Sequence, residues 1–576
     1  MRRDLAISTG QYTDKGRKET NQDFHGALIP VQPELGLKGI AIAIADGIST
    51  SAVSHIASQS AIKSFLTDYY CTPDSWKVKT AAQRVIAATN AWLHSQTRSS
   101  QYAGDIDRGY VTTLSVLVLK ATAAHIFHVG DSRVYRLSGS TLEQLTNDHR
   151  VAVSSEQSYL SRALGVNPQV EIDYRKVALD RGDIFVLATD GVYEFLEPGF
   201  IARTIKDHAS DLDGAARAIV GEALRRGSGD NLTIQIVRVD DLPDPEAGDT
   251  VELTGELVMP PVLEAGQVFD GYKIVRPLHA SSRSHIYLAV DQETRARAVV
   301  KIPSIDMRGD AGYLKRFMME EWVARRIDSP HVLKAAPQTR KKTHVSVVTE
   351  FIEGQTLTQW MIDNPKPSLE SVRAIVEQIA LGLRAFHRKE MLHQDLRPGN
   401  IMIDGAGTVK IIDFGSTRVA GVVEAGPVNA GEDILGTMQY TAPEYFLGDP
   451  ISTQSDLFSL GVIAYQMLTG RLPYGAQIAR SRTKSQMNKL RYIPASESGR
   501  DVPVWIDGAL RRAVNLDPNK RYEVLSQFLH DLRTPSSDFL NAGPTPLIER
   551  NPLWFWKILC LVLAVSNLVL LALLRQ

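Results

Sequence analysis

Between Val239 and Gln267 the chain carries eight acidic residues, no Lys or Arg, and prolines at Pro243, Pro245, Pro260 and Pro261. Like charges repel and each proline lacks a backbone donor, so such a stretch stays extended. Residues 241–267 therefore read as a linker, with a separately folded body on either side. The 576 residues agree, since a usual domain has roughly 100 to 200. A 44% hydrophobic and 22% charged content excludes a wholly disordered, collagenous or polytopic membrane chain. With 64 basic against 65 acidic residues, no global positive field exists, and nucleic acid is not an expected partner. Cys71 and Cys560 are too few for a disulfide framework or a four-cysteine zinc site, which fits a reducing compartment.

The first 18 residues, MRRDLAISTGQYTDKGRK, show no apolar run behind their arginines, so no secretory signal is expected. Ile558 to Leu574 is 17 residues without a charge, and the apolar flank from Leu553 makes 22 if Lys557 snorkels. The expectation is a single transmembrane helix over 553–574 acting as a C-terminal tail anchor. Trp554, Phe555 and Trp556 would sit in the interface, with Arg550 and Lys557 on the cytoplasmic side. A buried core helix or a helix lying flat on the interface is the alternative. Residues 535–552, rich in proline, read as a juxtamembrane linker.

In the first half, short apolar runs end abruptly in aspartates: GIAIAIADG, IFVLATDG and, in reverse, GDNLTIQIVRV. Their β-branched content and turn residues predict buried strands that present Asp46, Asp190 and Asp230 at their ends, with Asp23 in TNQDFHG as a fourth. Taken singly, Asp-Gly is more often a hairpin turn than a ligand. Taken together, rigid carboxylates from several chain positions suit a pair of hard divalent ions, which can activate water and clamp a phosphoryl group.

These segments in this order resemble the metal-dependent protein Ser/Thr phosphatase family (PPM, type 2C) over residues 5–240. The family's motifs are similar to Asn21-Gln22-Asp23, Asp46-Gly47, Thr112-Thr113, Gly130-Asp131-Ser132-Arg133, Asp148-His149, Asp190-Gly191 and Asp230-Asn231. The resemblance implies two or more Mn2+ or Mg2+ ions in a cleft of an α/β/β/α sandwich. Asp46 would bridge them, the Gly47 carbonyl would bind one, Asp190 and Asp230 would complete the other, and Asp23 would hold a metal-bound water. Gln22 departs from the family's usual Glu ligand. Lys18, by spacing, replaces the family's phosphate-binding Arg, with Arg17 beside it.

Residues 268–534 resemble the eukaryotic-type protein kinase family. RAVVKIP carries Lys301 on a strand and RFMMEEWVARRI carries Glu320 on a helix, the expected ion pair over the ATP phosphates; Glu321 is less well spaced. In HQDLRPGN, Asp395 would orient the substrate hydroxyl and Asn400 would bind Mg2+, with Asp413 of Asp413-Phe414-Gly415 as the second ligand. Arg397 would meet the transferring phosphate and favours Ser/Thr specificity. Ala442-Pro443-Glu444, Asp456 and Arg521 match structural positions. The phosphate lid reads His279, Ala280, Ser281, Ser282, Arg283, Ser284, without the family's three glycines; Ser281 and Ser284 are the mildest replacements beside the nucleotide. Gln394 replaces the Arg that pairs with activation-loop phosphate, and Ser416, Thr417, Thr437 and Thr441 are candidate phosphorylation sites.

The fold class expected is thus multidomain α+β: a phosphatase sandwich, a bilobal kinase fold and one transmembrane helix. Two functional readings stand. One is a membrane-anchored bifunctional enzyme that removes phosphate from phosphoprotein Ser/Thr by a two-metal mechanism and adds it from ATP with Mg2+. The other is an anchored phosphatase whose kinase-like half is a non-catalytic docking or regulatory module. In either, the expected partners are phosphoprotein substrates, ATP and a membrane, in a bacterial inner membrane with both domains cytoplasmic.

Overall fold

The computed structural model describes residues 4–139, 141–152, 158–243, 257–337, 340, 342–422, 439–481, 483–500, 502–535 and 552–573. The chain divides into two compact units, Met1–Trp360 with Leu381–Glu432, and Met361–Ala380 with Asp433–Gln576.

The first unit begins with β1 (Ala6–Asp14), β2 (Asp23–Leu28), α1 (Glu34–Lys38), β3 (Ile40–Asp46), α2 (Ser54–Tyr70), α3 (Val78–Arg98), β4 (Leu114–Lys120), β5 (Ala123–Val129), β6 (Arg133–Ser138) and β7 (Thr141–Gln144). It continues through β8 (Arg150–Ala152), β9 (Ser158–Leu160), β10 (Asp173–Ala178), β11 (Ile184–Ala188), α4 (Asp190–Tyr193), α5 (Pro198–Asp207), α6 (Leu212–Arg225) and β12 (Leu232–Asp241). Two five-stranded sheets form, ordered β1-β12-β11-β6-β7 and β10-β5-β4-β3-β2, with antiparallel pairing throughout.

Alternation along β3 explains the layering. Ile40, Ile42 and Ile44 enter a core with Leu117 and Ile126 of their own sheet and Val134, Phe185, Leu187 and Val237 of the other. Ala41, Ala43 and Ala45 point the other way and are also fully buried. Gly26, the register partner of Ala43, lies so close to α2 that a Cβ there would stand 2.8 Å from Leu66. Small residues on this face let the helix lie against the sheet, which buries both faces of β3 and accounts for its continuous apolar run. On the outer face of the other sheet, Val186, Ala188, Ile234 and Ile236 pack with Ile205, Ala216 and Ile219 of α5 and α6.

Further along, β13 (Val268–Phe269), β14 (Tyr272–Ala280), β15 (Ser284–Asp291), β16 (Arg297–Pro303) and β17 (Val347–Glu350) form a third antiparallel sheet, with α7 (Ala311–Arg326) between the last two strands in sequence. Smaller sheets pair β18 (Gly354–Thr356) and β21 (Val409–Ile411) with β20 (Ile401–Asp404), and β19 (Met391–Leu392) with β22 (Arg418–Val419). Of the acidic stretch, residues 244–256 lie outside the described residues. Its last part is packed: Leu263 joins the core of the third sheet, and Leu257 and Met259 lie against Phe317 and Val347.

The second unit is helical. Thr453–Thr469 starts with a reciprocal Ser452/Ser455 capping box, and Phe458 and Val462 of this helix share a core with Tyr474, Ile478 and Val514. Arg521 donates to both carboxylate oxygens of Glu444 at 2.8 Å, with both side chains buried.

Among the described residues no helix is long and apolar enough to cross a membrane, so the structure does not support the expected anchor. A helix runs over Pro552–Leu573, and Trp554, Trp556, Leu561 and Leu563 on it are exposed. Arg550, residues 574–576 and the side chains of 568–573 lie outside the described residues, as does Thr437.

Candidate active sites

The register of β2 and β3 sets Asp23 opposite Asp46. Asp46 is held by its backbone: its amide donates to Thr113 Oγ1 at 2.9 Å, and its carbonyl accepts from Thr112 Oγ1 at 2.9 Å and the Thr113 amide at 2.8 Å. Gly47 has no room for a side chain, since a Cβ would stand 2.8 Å from the Ser54 carbonyl and 2.9 Å from that of Gln22. Ala188 pairs with Ile234, so Asp190, two residues past Ala188, and Asp230, two residues before Leu232, emerge at one end of their sheet. Thr189 and Thr233 from that end both donate to Asp23 Oδ2, at 2.9 and 2.7 Å, and so tie the two sheets together at the site. Asn231 accepts from the Gln22 amide at 2.8 Å and donates to the Lys15 and Thr20 carbonyls.

Gln22 does not point into the acid cluster. Its Nε2 donates to the Ser51 carbonyl at 2.8 Å and Ser54 Oγ at 2.7 Å, and so pins the loop after Gly47 to the start of α2. Lys18 Nζ pairs with Asp230 and donates to Ser49 Oγ at 2.7 Å, while Arg17 is exposed. A second cation is Arg150, which donates to Asp131 at 2.5 Å, Asp190 at 2.7 Å and Glu194 at 2.5 Å.

Crowded acids in a buried place resist ionisation. Burial, with repulsion from Asp230 opposing the Thr233 and Thr189 hydroxyls, pushes Asp23 up to about 6. Burial followed by Asp131 and Asp230 pushes Asp190 up to about 7. Burial, and after it the charges of Asp23, Asp190, Asp131 and Asp230, drives Asp46 well above its usual value. Asp23 Oδ1 and Asp190 Oδ1 are buried and receive no protein hydrogen bond. Among the described residues no group of three or more His, Cys, Asp or Glu side chains is placed to hold a metal ion. Lys18 pairs with Asp230, and Arg150 with Asp131 and Asp190.

The second site gathers around Lys301. Strand β16 and helix α7 bring its Nζ to Glu320 Oε1 and Oε2 at 2.9 and 2.8 Å, and to Asp413 Oδ1 at 3.4 Å. Burial opposes the Lys301 charge, yet Asp413 and Glu320 outweigh it and hold the amine firmly protonated. Asp413 is held low, its burial overcome by Lys301 and by the Gly415 amide, which donates to it at 3.1 Å. Asn400 Nδ2 donates to both the carbonyl and Oδ2 of Asp395 at 2.9 Å, and Arg397 Nε lies 3.6 Å from Asp395 Oδ2. Burial raises Asp395, with Arg397 opposing. Gln394 stands at φ +70°, a left-handed conformation uncommon for a residue with a side chain. Glu321 turns away to Lys342 and Arg325, at 2.6 and 2.7 Å.

The lid is the tight β14–β15 hairpin. Ser281 Oγ accepts from the Ser284 amide at 3.1 Å and donates to the Ser284 carbonyl at 3.1 Å, so its hydroxyl is spent on closing the turn. Ser284 is buried at the start of β15. Residues that sequence reasoning left out of the sites are Thr189, Thr233 and Arg150, while Asp131 stands in the Gly130-Asp131-Ser132-Arg133 motif without an assigned role. The threonines sit one residue before Asp190 and three after Asp230, so a hydroxyl beside each strand-end acid was their only signal. Arg150 directly follows Asp148-His149, where a flanking basic residue looks like an ordinary surface charge.

Residues 13–223 match the family model described as protein phosphatase 2C, and residues 272–532 that of the protein kinase domain. The chain thus carries a PP2C-type phosphatase domain followed by a Ser/Thr protein kinase domain. Its kinase half is similar to the serine/threonine-protein kinase PrkC of Bacillus subtilis (27% identical over 271 residues, 47% of this chain and 41% of PrkC). It is also similar to the serine/threonine-protein kinase pkn2 of Myxococcus xanthus (30% over 291 residues, 50% of this chain and 34% of pkn2). The chain thus spans less than half the length of either relative. Among solved structures, the S. agalactiae serine/threonine phosphatase is 24% identical and covers 41% of this chain and 100% of its own, with a TM-score of 0.37. The Mycobacterium tuberculosis PknI kinase domain is 24% identical over 48% of this chain and 100% of its own, also with a TM-score of 0.37. At these scores the structural likeness adds nothing to the family matches.

Proposed function

We propose that the chain is a bifunctional signalling enzyme that hydrolyses phospho-Ser/Thr in proteins and transfers phosphate from ATP to protein Ser/Thr. The observation that carries the reading is the assembled Lys301–Glu320–Asp413 cluster, with Lys301 2.8 Å from Glu320 and 3.4 Å from Asp413. Without bound nucleotide, such a cluster leaves one ammonium against two carboxylates, which fits a site that takes up Mg2+ and phosphate charge together. In this reading Lys301 binds and orients the phosphates, Asn400 and Asp413 hold Mg2+, Asp395 receives the proton of the substrate hydroxyl, and Arg397 meets the transferring phosphate. ATP is the donor, and phosphoproteins are substrate or product.

In the phosphatase domain, Asp23 Oδ1 and Asp190 Oδ1 are buried and unpartnered, and with Asp46 and Asp230 they would accept Mn2+ or Mg2+ once Lys18 releases Asp230 and Arg150 releases Asp190. Asp46, the Gly47 carbonyl, Asp190 and Asp230 would hold the ions, and Asp23 would orient water. Bound there, the ions would supply a nucleophilic water and neutralise phosphoryl charge. Lys18, beside Asp230, would attract the incoming phosphate as a point charge. Location at the cytoplasmic face of a bacterial inner membrane remains part of this reading, and Trp554, Trp556, Leu561 and Leu563, exposed on the last helix, are the side chains that would meet a bilayer surface.

A second reading, a kinase domain that docks or senses without transferring phosphate, is favoured by the lid, where Ser281 replaces a glycine and closes the turn on itself. One experiment separates them: transfer of labelled γ-phosphate to the full chain or a basic protein, with Asp46→Ala preventing erasure and Lys301→Ala as the blank. Label that requires Lys301 is expected. Its absence with both Mg2+ and Mn2+ leaves the docking module. Asp46→Ala must also abolish phosphopeptide hydrolysis; unchanged hydrolysis refutes the phosphatase assignment.

A further inference from the structure

The helix that carries Glu320 is gripped from behind by the phosphatase domain. Trp322 and Arg326 lie about 120–160° round α7 from Glu320, on the side away from Lys301. Trp322 is fully buried; its Nε1 approaches the Asp68 carbonyl at 3.4 Å, and its ring packs on Trp76 with centroids 5.6 Å apart. The Arg84 guanidinium covers the Trp76 ring at 4.0 Å. Arg326 Nε donates to Asp68 Oδ2 at 2.6 Å, with side chains 3% and 4% exposed. Asp68 lies in the last turn of α2, Trp76 in the turn after it, and Arg84 is on α3, so one helical hairpin supplies each of these contacts.

The same hairpin reaches the other parts of the kinase site that must be in place for phosphotransfer. Ser95 of α3 bonds Glu390 at 2.9 Å, just before β19 and the Asp395 segment. The chain after β22, which follows Asp413-Phe414-Gly415, passes so close to α3 that a Cβ on Gly421 would stand 2.3 Å from the Ala87 carbonyl. Gly421 has φ +77°, so glycine is required here on both counts.

We infer that the α2–α3 hairpin of the phosphatase domain is the seat that sets helix α7, and that Asp68, Trp76 and Arg84 are positioning residues which hold Glu320 on Lys301. The inference rests on the reading of the kinase domain as a phosphotransferase. A buried, charge-paired seat on the side of helix α7 away from Lys301 fixes both its rotation and its distance from β16. Phosphotransfer then depends on an intact hairpin, which acts on the site through helix α7.

The test uses the full chain carrying Asp46→Ala, with Asp68→Arg, Trp76→Ala and the exchange Asp68→Arg/Arg326→Asp. The single changes are expected to lower kcat for phosphotransfer about tenfold and to speed amide hydrogen exchange in residues 311–326, and the exchange is expected to restore most of both. Phosphopeptide hydrolysis by the same variants with Asp46 present reports whether the domain folds and is expected to stay within about twofold. If Asp68→Arg loses hydrolysis through misfolding, Trp76→Ala and the exchange variant carry the test. Unchanged kcat and unchanged hydrogen exchange in folded Trp76→Ala and Asp68→Arg overturn the inference. So does an exchange variant that restores folding but not transfer. Should the parent transfer no label, the phosphotransferase reading fails by itself. The seat is then judged by hydrogen exchange and by the Kd for MgATP, and no change in either overturns it.

Discussion

Asp190→Asn is expected to make the metal-free phosphatase domain more stable, although it removes a contact with Arg150 at 2.7 Å. Burial and the neighbouring Asp131 and Asp230 move the Asp190 carboxyl from 3.8 to about 7. Below the unfolded value both states hold the proton and nothing is lost. As pH rises from 3.8 towards 7 the unfolded chain ionises first, so the fold loses stability, and above 7 the full loss of about 4 kcal/mol persists. Asn carries no charge and escapes that loss, less what the Arg150 contact contributes, leaving a gain of about 2–4 kcal/mol at pH 8. For a domain of this size the gain corresponds to a rise in Tm of about 5–12 °C. The assay is calorimetry of the full chain in EDTA at pH 8 and pH 5, following the phosphatase transition. The difference should shrink by more than half at pH 5 and reverse when Mn2+ is added, because only the carboxylate gains a cation partner. An Asn variant less stable than its parent at pH 8 in EDTA, or a difference that does not change with pH, refutes the electrostatic reasoning.

Gln22→Glu sets a carboxylate against the Ser51 carbonyl that now accepts from Nε2 at 2.8 Å; it should destabilise metal-free protein by about 1–3 kcal/mol and lower the Mn2+ concentration needed for half-maximal hydrolysis. A Mn2+ titration with unaltered half-saturation contradicts this. Arg521→Ala strands Glu444 in a place where its side chain is 2% exposed and should cost about 3–5 kcal/mol. Phosphotransfer should then be lost at a temperature where phosphopeptide hydrolysis survives, and a parallel loss of both activities counts against separate units.

The two-domain α+β architecture was legible because each half repeats local signals. Ile40, Ile42 and Ile44 alternate with alanines up to Asp46, and such a run ending in Asp-Gly reads as a strand with an acid at its tip. Which hydroxyls would meet Asp23, across from it, was not legible. Thr189 and Thr233 reach Asp23 only after β11 and β12 pair and the two sheets stack, a long-range event with no local trace. Gln22 illustrates the same limit: the sequence shows that an amide stands where the family has an acid, but not that the amide is committed to Ser51 and Ser54. The grip on α7 was also hidden, because Trp322 and Trp76 have the composition of ordinary core residues and nothing in either segment points to the other. Arg326 and Asp68 stand 258 residues apart, so no local pattern pairs them.

Helix α2 has one end beside Gln22 and Gly47, through Ser54, and the other under the helix that carries Glu320, through Asp68. A cut between the domains would therefore leave two halves, each with a raw face: Trp322 bare on one, Trp76 and an unpaired Asp68 on the other. Such halves are matched like the fragments of a split reporter. Made as separate chains in the same cell, they should find each other again, so the covalent linker serves to fix stoichiometry and speed rather than to create the pairing.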